Sequence, residues 1–231
     1  MTQIPISDIF GPTLQGEGAL IGRPTIFVRT GGCDFRCKWC DTLYAVLPEY
    51  KEEWAPLAPE QIVARVLALS VGKPILVTIS GGNPALHDLT ELIALGHESR
   101  LSFALETQGS VAREWFSQLE YLVLSPKGPS SGMKTDWKKL KACIKSAGKN
   151  TSTILKIVVF DECDFHFAQQ AQTLFPNLPL YLQAGTKQPA TDGDIRARVD
   201  WLLERCNREK WFEVTILPQL HVMLWGSKRG V

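Results

Sequence analysis

The sequence predicts an α/β fold in which parallel strands alternate with helices. Three observations indicate this class: short apolar runs rich in β-branched residues recur along the chain, amphipathic helical patterns separate most of them, and Gly or Pro marks the turns. Strands that alternate with helices imply parallel pairing through right-handed crossovers. These patterns are compatible with two architectures, a barrel and an open doubly wound sheet.

Seven segments are predicted to be buried strands. Near-continuous apolar runs of this kind are typical of parallel strands that are covered on both faces. In chain order they are TIFVRT (25–30), ILVTIS (75–80), LSFALET (101–107), YLVLSP (121–126), ILKIVVF (154–160), PLYLQA (179–184) and FEVTIL (212–217).

The clearest predicted helices cover residues 59–71 and 192–209. Apolar residues recur along both at helical spacing, so each helix should present one apolar face to the sheet. These residues are Ile62, Val66 and Leu69 in the first helix, and Ile195, Val199, Leu202 and Cys206 in the second. Prolines, glycines and scattered charge predict loops at 43–59 and 126–131.

Length, charge and hydropathy limit the possible functions. The 231 residues, 45% of them hydrophobic, suffice for one large domain, which we expect to cover residues 1–231. Lys and Arg (25) nearly balance Asp and Glu (24), so we expect a small-molecule partner rather than nucleic acid or a membrane surface. The sequence has no signal-peptide pattern and no run of about 18 apolar residues, which predicts a cytoplasmic protein.

A compact cysteine motif follows the first predicted strand. Cys33, Cys37 and Cys40 form a CxxxCxxC array, and thiols in the cytoplasm stay reduced, which favours a metal or redox site over disulfides. A structural zinc site normally has four ligands, and no fourth ligand is apparent here. A four-iron cluster held by three thiolates leaves one iron open for an outside ligand. An iron–sulfur site is therefore favoured, with zinc or unrelated reduced thiols as alternatives.

The three remaining cysteines carry no such pattern. They stand apart from one another and are predicted to be packed or incidental thiols. They are Cys143, Cys163 and Cys206.

Other small, polar and charged residues follow the predicted strands. The segments GGC, SGGNP, ETQGS and SPKGPS come after the first four strands in turn. In both architectures, chemistry gathers at the carboxyl ends of parallel strands. We therefore expect a single site at this edge of the sheet.

The cysteine array, with Trp39 before its last cysteine, resembles that of the radical S-adenosylmethionine (SAM) superfamily. Further segments resemble one family within it, the 7-carboxy-7-deazaguanine synthases, and the QGEG segment and the carboxyl-terminal tail are the most specific of them. The segments are IFGPTLQGEG (9–18), FVRTGGCDFRCKWCDT (27–42), TISGGNPAL (78–86), ALETQGS (104–110), LSPKGPSSGM (124–133) and LPQLHVMLWGSKRGV (217–231).

The resemblance implies an incomplete (β/α)6 barrel of the TIM type and a lyase activity. Such an enzyme converts 6-carboxy-5,6,7,8-tetrahydropterin to 7-carboxy-7-deazaguanine with loss of ammonia, in the biosynthesis of queuosine and related 7-deazapurines. A [4Fe-4S] cluster and SAM provide a 5′-deoxyadenosyl radical that abstracts a substrate hydrogen, and Mg²⁺ assists. A homodimer and a flavodoxin-like electron donor are also implied.

The resemblance further assigns site residues. It implies cluster ligands at Cys33, Cys37 and Cys40, and a Mg²⁺ ligand at Thr42. It implies SAM contacts at Trp39, Cys40, Asp41, Gly82, Glu106, Ser125, Pro126 and Lys127. It implies substrate contacts at Leu14, Gln15, Gly16, Glu17, Arg29 and Ser80, and a weaker expectation places the carboxylate of Val231 near the site.

Individual side chains suit these roles to different degrees. The Arg29 guanidinium is suited to bidentate capture of the substrate carboxylate. Gly81 and Gly82 should let the backbone lie against SAM. Asn83 stands where many radical SAM enzymes carry glutamate, and His221 is expected to be structural.

Two rival functions remain open on sequence grounds. A short radical SAM chain can instead be an activase that abstracts hydrogen from a glycine of a partner enzyme, although QGEG and Arg29 argue against this. Outside catalysis, the cysteine loop can be a zinc site on an interaction domain.

Overall fold

The computed structural model describes residues 3–186, 191–226 and 228–231. Its strands are β1 Ile4–Leu14, β2 Pro24–Thr30, β3 Ala55–Leu57, β4 Leu76–Gly81, β5 Ser102–Thr107, β6 Tyr121–Leu124, β7 Ser152–Val159, β8 Leu180–Ala184 and β9 Thr215–Leu217. Its α-helices are α1 Leu43–Val46, α2 Pro59–Leu69, α3 Thr90–Glu98, α4 Trp137–Ser146, α5 Glu162–Leu174, α6 Asp192–Glu209 and α7 Leu220–Trp225.

The strands form one sheet in the order β3-β1-β2-β4-β5-β6-β7-β8-β9. The strands from β2 to β9 in this order pair in parallel, and they are the seven strands that the sequence predicts. The predicted α/β class is therefore confirmed. The sheet has edges at β3 and β9 and does not close into a complete barrel.

Two elements at one edge of the sheet were missed by the sequence analysis. β1 pairs antiparallel with β2, and β3 pairs antiparallel with β1. The predicted loop 43–59 contains α1 and β3, so the loop prediction was wrong. Gly11 and Pro12 inside β1 look like a turn in sequence. The structure accommodates them at a register shift between Phe10 and Thr13, an irregularity of the kind where proline is tolerated in sheets.

Side chains of the parallel strands alternate between two environments. On one face, apolar residues such as Val28, Ile79 and Leu155 join the main core together with the helices. The opposite, inner face carries the residues between them, among them Arg29 and Ser80, which line a cavity. Because successive side chains of a strand point to opposite faces, one strand serves packing and chemistry together.

A small apolar cluster closes the inner face at the amino ends of the strands. Leu20, from a 3₁₀ turn after β1, packs with Leu76 and Ala104, and Tyr121 covers them. The cavity therefore opens toward the carboxyl ends, where loops carry the predicted site residues. Among the described residues, no helix is long and apolar enough to span a bilayer.

Gly82 is required by packing against the backbone of the cysteine loop. A Cβ there would lie 2.1 Å from the carbonyl oxygen of Gly32 and 2.9 Å from that of Ala45. At Gly81, with φ +143°, a Cβ would lie 2.2 Å from the Thr30 carbonyl oxygen. Close packing between two backbone segments thus explains both glycines.

We expect Gly82→Ala to destabilise the fold, because backbone atoms must move to admit the methyl group. Overpacking of this kind costs about 1–3 kcal/mol. Urea unfolding followed by circular dichroism measures the change. Gly193→Ala is the matched control, because the nearest atom to a Cβ there lies 3.6 Å away. Equal stability of the two variants would contradict the packing explanation.

Candidate active site

A cavity of about 500 Å³ lies at the carboxyl ends of the parallel strands. Nearly all residues that the sequence analysis assigned to a site line it. They are Leu14, Gln15, Gly16, Glu17, Arg29, Cys33, Cys37, Trp39, Cys40, Asp41, Thr42, Ser80, Gly82, Glu106, Ser125, Lys127 and Val231. Pro126 is buried and is not part of this lining.

The loop between β2 and α1 brings three free thiols to the cavity wall. Cys33, Cys37 and Cys40 are half-buried. Burial raises the pKa of Cys33 and raises that of Cys37 to about 11. These thiols therefore need a positive partner, such as a metal centre, to become thiolates at neutral pH.

The side-chain amide of Asn83 holds this loop in place, and all of its hydrogen-bonding positions are used. It is fully buried; its nitrogen donates to Asp34 Oδ1 (2.9 Å) and Ser110 Oγ (3.0 Å), while its oxygen accepts from Ala85 N (3.2 Å) and Thr107 Oγ1 (2.8 Å). Asn83 thus connects the cysteine loop to the ends of β4 and β5. This positioning role accounts for the residue without any contact to a ligand.

Gln108 is a second support of the cysteine loop, and the sequence analysis did not identify it. Its side-chain nitrogen donates to Asp34 Oδ1 at 2.6 Å and lies 3.8 Å from Cys33 Sγ. Gln108 belongs to the ETQGS segment and directly follows Thr107, the last residue of β5. This position at the end of a parallel strand was the signal that could have identified it.

An aromatic wall follows the last cysteine. Trp39 donates to Ser130 Oγ at 2.9 Å and packs against Phe160 with ring centroids 5.2 Å apart. The ammonium of Lys127 lies 5.6 Å from the Trp39 ring centroid and donates to Ser125 Oγ at 3.0 Å. Burial lowers the pKa of Lys127. Trp39 and Phe160, whose ring planes are tilted by 40°, thus form an apolar wall beside hydrogen-bonding groups.

A buried ion cluster occupies the inner face below the cysteine loop. Lys156 Nζ contacts Glu17 Oε2 at 2.5 Å and Glu106 Oε2 at 3.3 Å, and its side chain is only 4% exposed. Gln15 donates to Glu106 Oε1 at 3.2 Å, and Gln219 donates to Glu17 Oε1 at 2.7 Å. The cluster therefore joins the segment after β1 to β5, β7 and the carboxyl-terminal tail.

The charges in this cluster stabilise one another. Burial alone would raise the pKa of Glu17, but the charges of Lys156 and His221 and the hydrogen bonds from Lys156 and Gln219 lower it to about 2. Burial likewise acts to lower the pKa of Lys156, and the two carboxylates reverse this effect and raise it. Glu17 is thus an ionised acceptor and Lys156 an ammonium at neutral pH.

The sequence analysis missed Lys156. It lies inside the apolar run ILKIVVF, which was interpreted only as a strand. A lysine in the middle of such a run is itself a signal, because a buried ammonium is rarely tolerated without a partner.

The carboxyl-terminal tail packs directly on the segment after β1. Leu220 N donates to Gly16 O at 2.9 Å, and a Cβ at Gly16 would lie 2.3 Å from His221 Nδ1. The expectation of a packing role for His221 agrees with this contact. Further along the tail, Arg229 lies over the Tyr44 ring at 3.9 Å and 3.3 Å from Asp8 Oδ2.

Arg29 and Ser80 line the cavity, and each carries a buried polar atom without a hydrogen-bond partner among the described residues. The two residues are register partners on adjacent strands β2 and β4. Arg29 Nε, Ser80 Oγ and also Thr186 Oγ1 are buried and have no hydrogen-bond partner among the residues that the structure describes. Buried polar atoms are normally paired, so these atoms are candidates for contact with a polar ligand.

Thr42 is the N-cap residue of α1, and its carbonyl oxygen accepts from Ala45 N at 2.8 Å. Its side chain makes no capping hydrogen bond, and its hydroxyl lies 3.6 Å from Cys40 Sγ. The hydroxyl is therefore available to a ligand in the cavity.

The cysteine loop carries a donor set that fits an iron–sulfur cluster, because three thiols of one loop line the same cavity. Among the described residues, no group of three or more His, Cys, Asp or Glu side chains converges as the ligands of one metal ion would. In a four-iron cluster, each thiolate binds a different iron, so such convergence is not required.

Comparison with known proteins agrees with this chemistry. Residues 27–160 match the model of the radical SAM superfamily. The 7-carboxy-7-deazaguanine synthase of Bacillus cereus is 40% identical over 240 residues, covering 100% of both chains. The chain belongs to the radical SAM superfamily and, within it, to the family of 7-carboxy-7-deazaguanine synthases.

Other relatives agree with this membership. The 7-carboxy-7-deazaguanine synthase of Bacillus subtilis is 39% identical, with 99% of this chain and 98% of that protein covered. The crystal structure of QueE from Escherichia coli has a TM-score of 0.69 at 24% identity and 95% coverage of both chains, which supports the fold.

For this radical SAM chain we expect Asn83→Ala to weaken the cysteine loop. Removing a buried amide whose hydrogen bonds are all made leaves its partners unpaired, which costs about 1–3 kcal/mol of stability. Iron bound per chain after anaerobic reconstitution should fall, whereas exposed Asn207→Ala should retain the parental value. Unchanged iron content in Asn83→Ala would contradict its positioning role.

The cysteines should separate into two functional groups. We expect Cys37→Ala to lose both the visible iron–sulfur absorbance and turnover. Cys206→Ala, which changes a buried residue of α6, should keep both. Absorbance spectroscopy and iron analysis measure the difference. Equal loss in both variants would refute the assignment of the ligands.

Proposed function

We propose that this chain is a lyase that converts 6-carboxy-5,6,7,8-tetrahydropterin to 7-carboxy-7-deazaguanine with loss of ammonia. Family membership supports the reaction, and the observation that carries its placement is the pair Arg29 and Ser80. Both residues line the same cavity as the cysteine loop and Glu17, and each carries a buried polar atom without a partner among the described residues. A small polar substrate that bears a carboxylate can pair with both the Arg29 guanidinium and the Ser80 hydroxyl.

The cysteine loop would hold the cofactor. Cys33, Cys37 and Cys40 would bind a [4Fe-4S] cluster, and bound SAM and cluster together would supply the radical chemistry that removes a hydrogen atom from carbon. The aromatic wall of Trp39 and Phe160 suits the adenine of SAM, and Lys127 and Ser125 offer polar contacts to its ribose or carboxylate.

The protein's own groups then bind and orient the substrate. Arg29 takes the substrate carboxylate in a bidentate pair, and Ser80 donates beside it. Gln15 and Glu17 hydrogen-bond to the polar edge of the pterin ring, because an amide and an ionised carboxylate complement its donors and acceptors. Arg229, which lies over the Tyr44 ring, lines the same cavity from the tail.

Further properties complete the proposal. Thr42 would hold Mg²⁺, because its side chain lines the cavity and makes no capping hydrogen bond to α1. A homodimer, a flavodoxin-like electron donor and queuosine or a related 7-deazapurine as the pathway product are expectations from the family, and a cytoplasmic location is the expectation from the sequence pattern.

The cavity also separates this function from an activase. An activase must admit a glycine on a polypeptide, whereas a cavity of about 500 Å³ lined by buried charged groups suits a small polar molecule. Product mass after anaerobic incubation with the pterin, SAM, Mg²⁺ and a reductant tests the proposal. Absence of a deazapurine with an intact cluster would overturn it.

We expect Arg29→Met to raise KM for the pterin about 10- to 100-fold, because one charge-assisted hydrogen-bonding pair is lost. Arg29→Lys should recover only part of this loss, since the ammonium lacks the planar fork. Exposed Arg65→Met, on α2, is the control and should match the parent. Steady-state product formation measures KM, and an unchanged KM in Arg29→Met would remove Arg29 from the substrate site.

A further inference from the structure

We propose that Lys156 is a positioning residue that sets ring specificity, by holding the Glu17 carboxylate ionised and fixed so that it accepts from a 2-amino-4-oxo ring and rejects a 2-oxo ring. The inference rests on the proposed function and deepens it. Lys156 itself acts through Glu17 and is not required to touch the substrate.

The geometry of the ion cluster fixes the orientation of Glu17. One carboxylate oxygen accepts from Lys156 and the other from Gln219, while Glu17 N donates to Gln15 Oε1 at 3.1 Å. Each oxygen keeps a further acceptor position, because a carboxylate oxygen accepts more than one hydrogen bond. Glu17 also lines the cavity, so these positions are accessible to a ligand.

The charge of Glu17 depends on its neighbours. Lys156, Glu106, His221 and Lys127 are the titratable groups that act electrostatically on the cluster. Lys156 is the cation in direct contact with Glu17, and its own charge is shared with Glu106. Without this ammonium, burial would favour the protonated form of Glu17.

Protonation would change what Glu17 recognises. An ionised carboxylate only accepts hydrogen bonds, so it pairs with the adjacent N–H groups of a 2-amino-4-oxo ring and repels a carbonyl at the 2-position. A protonated carboxyl group can donate to that carbonyl. Loss of Lys156 should therefore relax the preference between the two rings.

Equilibrium binding of two fluorescent, non-reacting ligands tests this inference on the anaerobically reconstituted protein. The ligands are 6-carboxypterin, with a 2-amino group, and 6-carboxylumazine, with a 2-oxo group. Their affinities are compared from about pH 5 to about pH 8, the range in which the parental Glu17 remains ionised. The proteins are the parent, Lys156→Met, the double variant Lys156→Met/Glu17→Gln, and exposed Lys73→Met as control.

We expect the parent and Lys73→Met to prefer the pterin at every pH. Lys156→Met should lose about 10- to 100-fold of this preference at the acidic end and recover part of it as pH rises and Glu17 ionises. The double variant should show a weak preference without that pH dependence. It retains His221 and Glu106, so it separates their titration from that of Glu17.

The double variant also controls for a folding defect, because it removes both members of the Glu17 pair, and the loss of the ammonium beside Glu106 is the same in Lys156→Met and in the double variant. A parental preference in Lys156→Met at all pH values, or the same pH dependence in the double variant, would overturn the inference. A parent that binds the pterin but forms no deazapurine would instead overturn the proposed function. The two failures are therefore distinguishable.

Discussion

The ammonium of Lys156 is a buried positive charge on the inner face of the sheet, and it determines where other charged side chains of the site must lie. Its side chain is 4% exposed, so solvent contributes little to its stabilisation. Two carboxylates must therefore reach it, one from the segment after β1 and one from β5. Leaving one partner of a buried ion pair alone costs about 3–5 kcal/mol. This constraint fixes elements that are far apart in sequence around a single point below the cysteine loop.

The pleat of the strands allows this charged site to coexist with a large core. In β7, Leu155 and Ile157 join the main apolar cluster, while Lys156 and Val158 face the cavity. The same alternation places Arg29 beside Ser80 across β2 and β4. Because the two faces are separated, residues of the inner face can be specialised for ligands while the outer face maintains packing with the helices.

The sequence predicted the parallel strands well because each is a continuous apolar run between turn residues. It also predicted α6 at residues 192–209 with its observed bounds. β1 and β3 were missed for physical reasons: β1 contains Gly11 and Pro12, and β3 has only 3 residues, Ala55–Leu57, among prolines and charges. Such short edge strands depend on tertiary pairing and have little local signal.

For the site, the sequence indicated the residues but not how they support one another. The cysteines and the polar strand ends were predictable from their spacing. The roles of Asn83 and Gln108 were not, because both act through Asp34, and contacts between distant segments have no local pattern. Lys156 was hidden by the apolar character of its own strand.

The two segments that best distinguished the family in sequence are in direct contact. Leu220 and Gln219 of the tail hydrogen-bond to Gly16 and Glu17. At Gly16 a Cβ would collide with the His221 ring, so a side chain at this position and the ring cannot occupy the same space. A change in one segment therefore displaces the other and, through Glu17, alters the ion cluster. The two motifs are therefore one packed unit: the tail supports a carboxylate that lines the cavity, although the two are about 200 residues apart in sequence.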